Sequence, residues 1–395
     1  MSKSFYEFFC PVKIIAGKQA LEHIPFELDS LGCERPMIIT DKGVRGFGLV
    51  DHVLTAFAES SLNIVDIFDD VPPDSSLTLC TRIARRYREM RCDSIIAVGG
   101  GSVIDTSKAV NILVSEDAES LTGFSGAGRL KRSLKPLFVI PTTAGTGSEV
   151  TQVAVITDIE KAVKLPFTSP FLLPNAAIID PRMTLTVPAN ITAMTAMDAM
   201  THAVEAYICL AKNPLSDAYA FSAVRKVSEN IITVIDNPSD TASRLELAQA
   251  ATMAGIAFSN SMVGLVHALG HSLGASCHLP HGLCMNLFLP YVLEYNLEKS
   301  AGHIAELLLP LSGAEVYAAT PADQRASAAI AAIYSLRDSL HQRCQLPRTL
   351  SETGKVTREQ LPHIADMTVD DGSILFNPLE ADLEDVMAIL EKAWD

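Results

Sequence analysis

The sequence predicts an α/β N-terminal domain with a mostly parallel, Rossmann-like sheet, joined to an all-α C-terminal domain. Three observations point there. The first half alternates short apolar runs with amphipathic ones, strand-like runs vanish after Thr192, and glycine-rich or hydroxyl-rich loops follow two of the apolar runs.

The strand candidates are 36–40, 61–66, 94–98, 136–140 and 176–179, each four to six β-prone residues long. Helical stretches such as 75–91 and 102–114 separate them, the pattern of strands buried on both faces by covering helices. From Thr192 onward, Ala-, Leu-, Glu- and Met-rich stretches at 192–211, 215–235, 241–258, 286–309, 322–344 and 380–393 have the length and period of helices. The change falls in 180–188, whose Pro181 and Pro188 suit a hinge. The chain is therefore expected to divide into a domain at 1–185 and a domain at 186–395, with a cleft opening at the hinge. A length of 395 residues exceeds what one core usually supports.

Composition narrows the partners. The chain is 48% hydrophobic and 19% charged, enough apolar material for sizeable cores. Its net charge of −15 repels a polyphosphate backbone or an anionic membrane surface, so neither nucleic acid nor membrane is expected as a partner. The eight cysteines are scattered, with no CxxC pair, which fits a reducing, cytoplasmic compartment. No basic start precedes a long apolar run, and no stretch of about eighteen uncharged apolar residues occurs.

Two loops suit a diphosphate. Gly99-Gly100-Gly101-Ser102 follows an apolar strand and opens a helix, where bare backbone amides and the helix N-terminus attract anions. The pattern is GGGS and not GxGxxG, so a structural tight turn is the competing reading. The second loop, Pro141 to Glu149, again follows a strand and offers the hydroxyls of Thr142, Thr143 and Thr146. Asp41 ends a strand candidate. It reads either as a cap for the helix that follows or as an acceptor for a ribose 2′-hydroxyl that would favour NAD over NADP.

A metal site is the sharpest candidate. On helices, Asp198 and His202 share a face, and so do His267 and His271. Four of the ten histidines lie within 267–281, the others being His278 and His281. His278, beside Leu279-Pro280, reads as a loop residue. One carboxylate with several imidazoles suits Fe²⁺, Zn²⁺, Co²⁺, Ni²⁺ or Mn²⁺. Ala268 stands where a zinc protease helix needs its glutamate base, so peptide hydrolysis lacks its catalyst.

Taken together, Gly99-Gly-Gly-Ser102-x-x-Asp105, Pro141 to Glu149, Asp198-Ala-Met-Thr-His202-Ala-Val-Glu205, Phe258-Ser-Asn260 through His271, and Pro280-His281-Gly282 resemble the iron-containing (group III) alcohol dehydrogenase family. The resemblance covers nearly the whole chain. It implies a dehydroquinate synthase-like architecture: a nucleotide-binding domain and a helical metal-binding domain. It implies Asp198, His202, His267 and His281 as ligands of Fe²⁺ or Zn²⁺, and His271 as a catalytic residue, either a proton relay or a substrate contact. It implies NAD contacts at Asp41, Asp74, Gly99, Gly100, Gly101, Ser102, Thr142, Thr143, Thr146 and Lys164. It also implies a homodimer or higher homo-oligomer acting on a small alcohol or aldehyde.

Departures from the family pattern at Asp74-Ser75-Ser76, Met285 and Asn377-Pro378-Leu379 fall near the expected substrate pocket. Rival readings are a hydroxyacid-oxoacid transhydrogenase, a lyase of the dehydroquinate synthase type, and a non-catalytic nucleotide-binding or metal-storage protein. The lyase wants lysines and arginines that 192–210 and 258–284 almost entirely lack.

Overall fold

The computed structural model describes residues 5–161 and 163–395. Its strands, in chain order, are β1 (Lys13–Ala16), β2 (Pro36–Ile39), β3 (Asp66–Phe68), β4 (Ser94–Gly99), β5 (Gly126–Ala127), β6 (Leu137–Pro141), β7 (Val153–Asp158), β8 (Val163–Thr168) and β9 (Ala176–Ile179). The six-stranded sheet runs β1-β9-β6-β4-β2-β3, with every neighbouring pair parallel.

Successive residues of a strand face opposite sides, so a sheet covered on both faces needs apolar residues at every position. Met37, Ile39, Ile95, Ala97, Leu137 and Val139 pack on one side with the helices Leu77–Glu89 and Gly101–Ser115. Ile38, Ile96, Val98, Phe138, Ile140 and Ile178 pack on the other with Ile24–Ser30 and Leu49–Ala56. That double burial explains the unbroken apolar runs in the sequence.

The expected strand at 61–66 begins only at Asp66, where pairing with Met37 starts. β1 and the small sheet β5-β8-β7 were not foreseen. Their alternation is short or, in β8, interrupted by Pro166.

Contacts divide the chain into one unit at Cys10–Thr186 and another at Val187–Asp395, which residues 5–9 join. The N-terminal boundary thus differs from a cut at 185 alone. Phe9 donates its N–H to Asn260 Oδ1 at 2.6 Å, and Phe8 stacks on Tyr219 with ring centroids 5.9 Å apart. Such tertiary contacts leave no periodic signal in a segment this short.

The second unit is helical. Three of its helices begin on side-chain caps: Asn213 with Ser216 in a capping box ahead of Pro214, Asp240 ahead of Thr241, and Asp382 with Asp385. The expected helix 286–309 is two helices, His281–Tyr295 and Leu297–Ala319. They meet at Asn296, whose side-chain amide exchanges two hydrogen bonds with that of Asn377, at 2.9 and 2.8 Å. Among the described residues no helix is long and apolar enough to cross a membrane.

Candidate metal centre and nucleotide loops

Three helices of the second unit deliver the centre. Asp198 and His202 stand one turn apart on the buried helix Ala189–Ile208. His267 lies in the first turn of Leu265–Cys277, and His281 is the first residue of His281–Tyr295. One donor atom from each of the four lies within 4.8 Å of all the others.

Asp198 Oδ1 is 3.3 Å from His281 Nε2 and 3.8 Å from His202 Nδ1. The His202 and His267 rings are 4.6 Å apart, and the His267 and His281 rings 5.4 Å. Phe258 stacks on His202 at 4.2 Å.

The electrostatics suit a cation. Burial pushes His202 down to about 3 and lowers His267 well below the usual imidazole range, so both present neutral rings at neutral pH. Burial alone would raise Asp198, but His202, His281 and His267 outweigh it and hold the carboxyl below its usual range. His202 Nδ1 and His267 Nε2 are buried without a hydrogen-bond partner. Buried polar atoms are normally satisfied, so two orphaned imidazole nitrogens beside one carboxylate are a donor set that fits a divalent ion.

The approach of the helices depends on glycine. A Cβ on Gly282 would lie 2.3 Å from the backbone oxygen of Met194, so only glycine lets the first turn after His281 touch the helix that carries Asp198.

His271 is not one of the four convergent donors, but its ring stacks on His281 at 5.5 Å. Its Nδ1 is 2.9 Å from Asp371 Oδ2. Burial would raise Asp371, yet the bond to His271 holds it at about 2. His278 lies outside the cluster and ends its helix in the left-handed region at φ 52°. Met285, expected near the substrate pocket, is fully buried, and its methyl occupies the space where Gly270 would carry a Cβ.

Sequence reasoning assigned no role to Glu205 or Asp371. Glu205 carried a signal, because 198, 202 and 205 lie on one helix face. Asp371, a hundred residues from its partner, carried none.

In the first unit, parallel neighbours place their carboxyl-terminal loops side by side. β4 pairs with β6 so that Gly99 sits opposite Pro141, and Thr142 N–H donates to Gly99 O at 3.1 Å. A Cβ on Gly101 would come within 3.1 Å of Thr146, so the GGGS and 142–146 loops are in contact. Ser102 hydroxyl donates to Pro73 O, tying in the segment that carries Asp74. Asp74 itself pairs with Lys164 at 3.3 Å on the surface.

Asp41, after β2, caps the helix Lys42–Gly46 by accepting from Val44 N–H at 2.9 Å. The capping reading therefore holds, through Oδ1.

A donor cluster of this kind, in a chain that also carries two touching glycine- and hydroxyl-rich loops at strand ends, fits a metal-dependent oxidoreductase of the iron-containing alcohol dehydrogenase family. The chain belongs to that family: residues 11–181 match the profile "Iron-containing alcohol dehydrogenase" and residues 192–394 its C-terminal counterpart. It is 33% identical to the NAD-dependent methanol dehydrogenase of Bacillus methanolicus, over 98% of this chain and 99% of that one. It is 34% identical to the 1,3-propanediol dehydrogenase of Klebsiella pneumoniae over the full length of both. The fold superposes on a crystal structure of 1,3-propanediol oxidoreductase with a TM-score of 0.93, at 33% identity, covering 99% of this chain and all of that one.

Proposed function

We propose that this alcohol dehydrogenase interconverts a small primary alcohol or diol, or one bearing an anionic group, with its aldehyde: R–CH₂OH + NAD⁺ ⇌ R–CHO + NADH + H⁺. The observation that carries the reading is the convergence of Asp198, His202, His267 and His281 with two buried imidazole nitrogens lacking protein partners. When bound, a divalent ion (Fe²⁺, or Zn²⁺ in its place) supplies Lewis acidity toward the substrate oxygen, and the nicotinamide takes or returns the hydride.

The remaining work falls to side chains. Asp198 supplies the one negative charge among the four donors. His271 moves the substrate proton: Asp371 fixes its Nδ1, and its half-exposed ring can exchange with water. Gly99, Gly100, Gly101 and Ser102, with Thr142, Thr143 and Thr146, hold the diphosphate through backbone amides and hydroxyls. Lys164 and Asp74 flank it. Asp41 keeps one carboxylate oxygen on Val44 and offers the other to the ribose.

A reducing, cytoplasmic compartment suits a chain with eight free thiols, and we assign the working enzyme a homodimeric or larger assembly of this chain.

The deciding experiment reloads metal-free protein with Fe²⁺, Zn²⁺, Mn²⁺ or Ni²⁺ and follows reduction of an aldehyde panel by NADH and NADPH. Ion-dependent turnover with at least one aldehyde is expected; no turnover under any combination refutes the reading.

Cofactor choice can be read separately. Asp41→Ser keeps a capping oxygen but removes the charge facing a 2′-phosphate. It should raise the NADPH-to-NADH ratio of kcat/KM by about tenfold or more, the size of one relieved charge repulsion near a surface. An unchanged ratio would leave Asp41 as a helix cap alone.

A further inference from the structure

We infer that Glu205 is a positioning residue for the centre: it fixes the tautomer of His267 so that Nε2 faces the other donors with a lone pair. The inference rests on the metal reading above and extends it to a residue that touches no ion. Glu205 stands on the helix of Asp198 and His202 and is buried, as is His267. Its Oε2 lies 2.5 Å from His267 Nδ1, and its Oε1 accepts from Val266 N–H at 2.6 Å.

The helix Leu265–Cys277 has no side-chain cap of its own. Its first amides are instead met by distant groups, Leu265 N–H by Asn377 Oδ1 at 3.4 Å and Val266 N–H by Glu205. The two oxygens of one carboxyl group thus face a helix amide N–H and the Nδ1 of an imidazole. An acceptor on Nδ1 puts that ring's proton there and leaves Nε2 unprotonated, and Nε2 is the nitrogen found buried without a partner. A Cβ on Gly264 would come within 3.2 Å of both Glu205 Oε1 and Asn377 Oδ1, so glycine is what lets the helix start against these two acceptors.

The carboxylate is required because only it accepts at both oxygens. In Glu205→Gln the amide has one oxygen and one NH₂ group. If the oxygen faces His267, the NH₂ confronts the Val266 N–H. If the oxygen faces Val266, the NH₂ donates to Nδ1 and drives the ring proton to Nε2, which blocks the donor.

The test uses full-length protein, wild type and Glu205→Gln, with Co²⁺ and Zn²⁺ as probes. Calorimetry should show Glu205→Gln binding either ion about 10- to 100-fold more weakly, the usual effect of losing a ligand's hydrogen-bonded partner. ¹⁵N-histidine NMR of the metal-free wild type should place the His267 proton on Nδ1. A folded Glu205→Gln protein with wild-type affinity overturns the inference, as does a wild-type His267 protonated on Nε2, a result that needs no variant to fold. Wild-type protein that binds neither ion would instead refute the metal reading itself.

Discussion

Asp198→Asn and His267→Ala are expected to abolish metal loading and with it turnover, while NADH still binds. Asp198 is the one anion among the four donors, set 3.3 Å from His281 and 3.8 Å from His202. Asparagine keeps the shape but leaves a divalent charge uncompensated among neutral rings. His267→Ala removes a buried nitrogen that no protein group satisfies. Losing Lewis-acid stabilisation of several kcal/mol corresponds to a rate loss on the order of 10³-fold or more. Metal analysis, steady-state kinetics and NADH fluorescence titration read the three quantities independently. Thermal stabilisation by added ion, about 2.7 kcal/mol at a hundredfold excess over Kd, should also vanish in both variants. Full turnover by either variant in the absence of metal would sink the assignment.

The second large effect is expected from Gly282→Ala, a single methyl added beside the centre. Its Cβ would lie 2.3 Å from a backbone oxygen of the helix Ala189–Ile208, and a backbone atom cannot swing aside as a side chain can. The start of the helix His281–Tyr295 must therefore move, taking His281 away from Asp198. Overpacking of this kind costs about 1–3 kcal/mol. Because the displaced residue is a donor, ion affinity should fall by about tenfold or more beyond the loss of stability. Thermal denaturation and Co²⁺ titration measure the two parts. Wild-type affinity in the variant would mean that His281 does not depend on this approach.

Much of this centre was legible because its signals are local. Asp198 with His202, and His267 with His271, are four residues apart, and a helix turns such spacing into adjacency whatever surrounds it. The GGGS loop and the 141–149 loop were legible for a similar reason, each being a strand end followed by residues that only a close anion or a tight turn requires. Glu205 was within reach of the same logic, lying three residues past His202. By contrast, nothing near Asp371 announces that it meets His271, and nothing in 286–309 announces a break at Asn296. Both depend on chain segments about eighty to a hundred residues away. Asp41 shows a third case: the sequence left a cap and a ribose acceptor open, and the structure uses Oδ1 for the cap.

On its own, then, the sequence determined the α/β and helical halves, the covered parallel sheet and the residue types of the centre. These follow from periodicity, burial and spacing within a few residues. Only the tertiary structure decided how donors from separate helices come together at Asp198, and that residues 5–9 pack with the helices. The physical reason is that convergence is set by how closely separate helices approach. Here that distance is governed by contacts such as Gly282 on Met194, which join positions almost ninety residues apart.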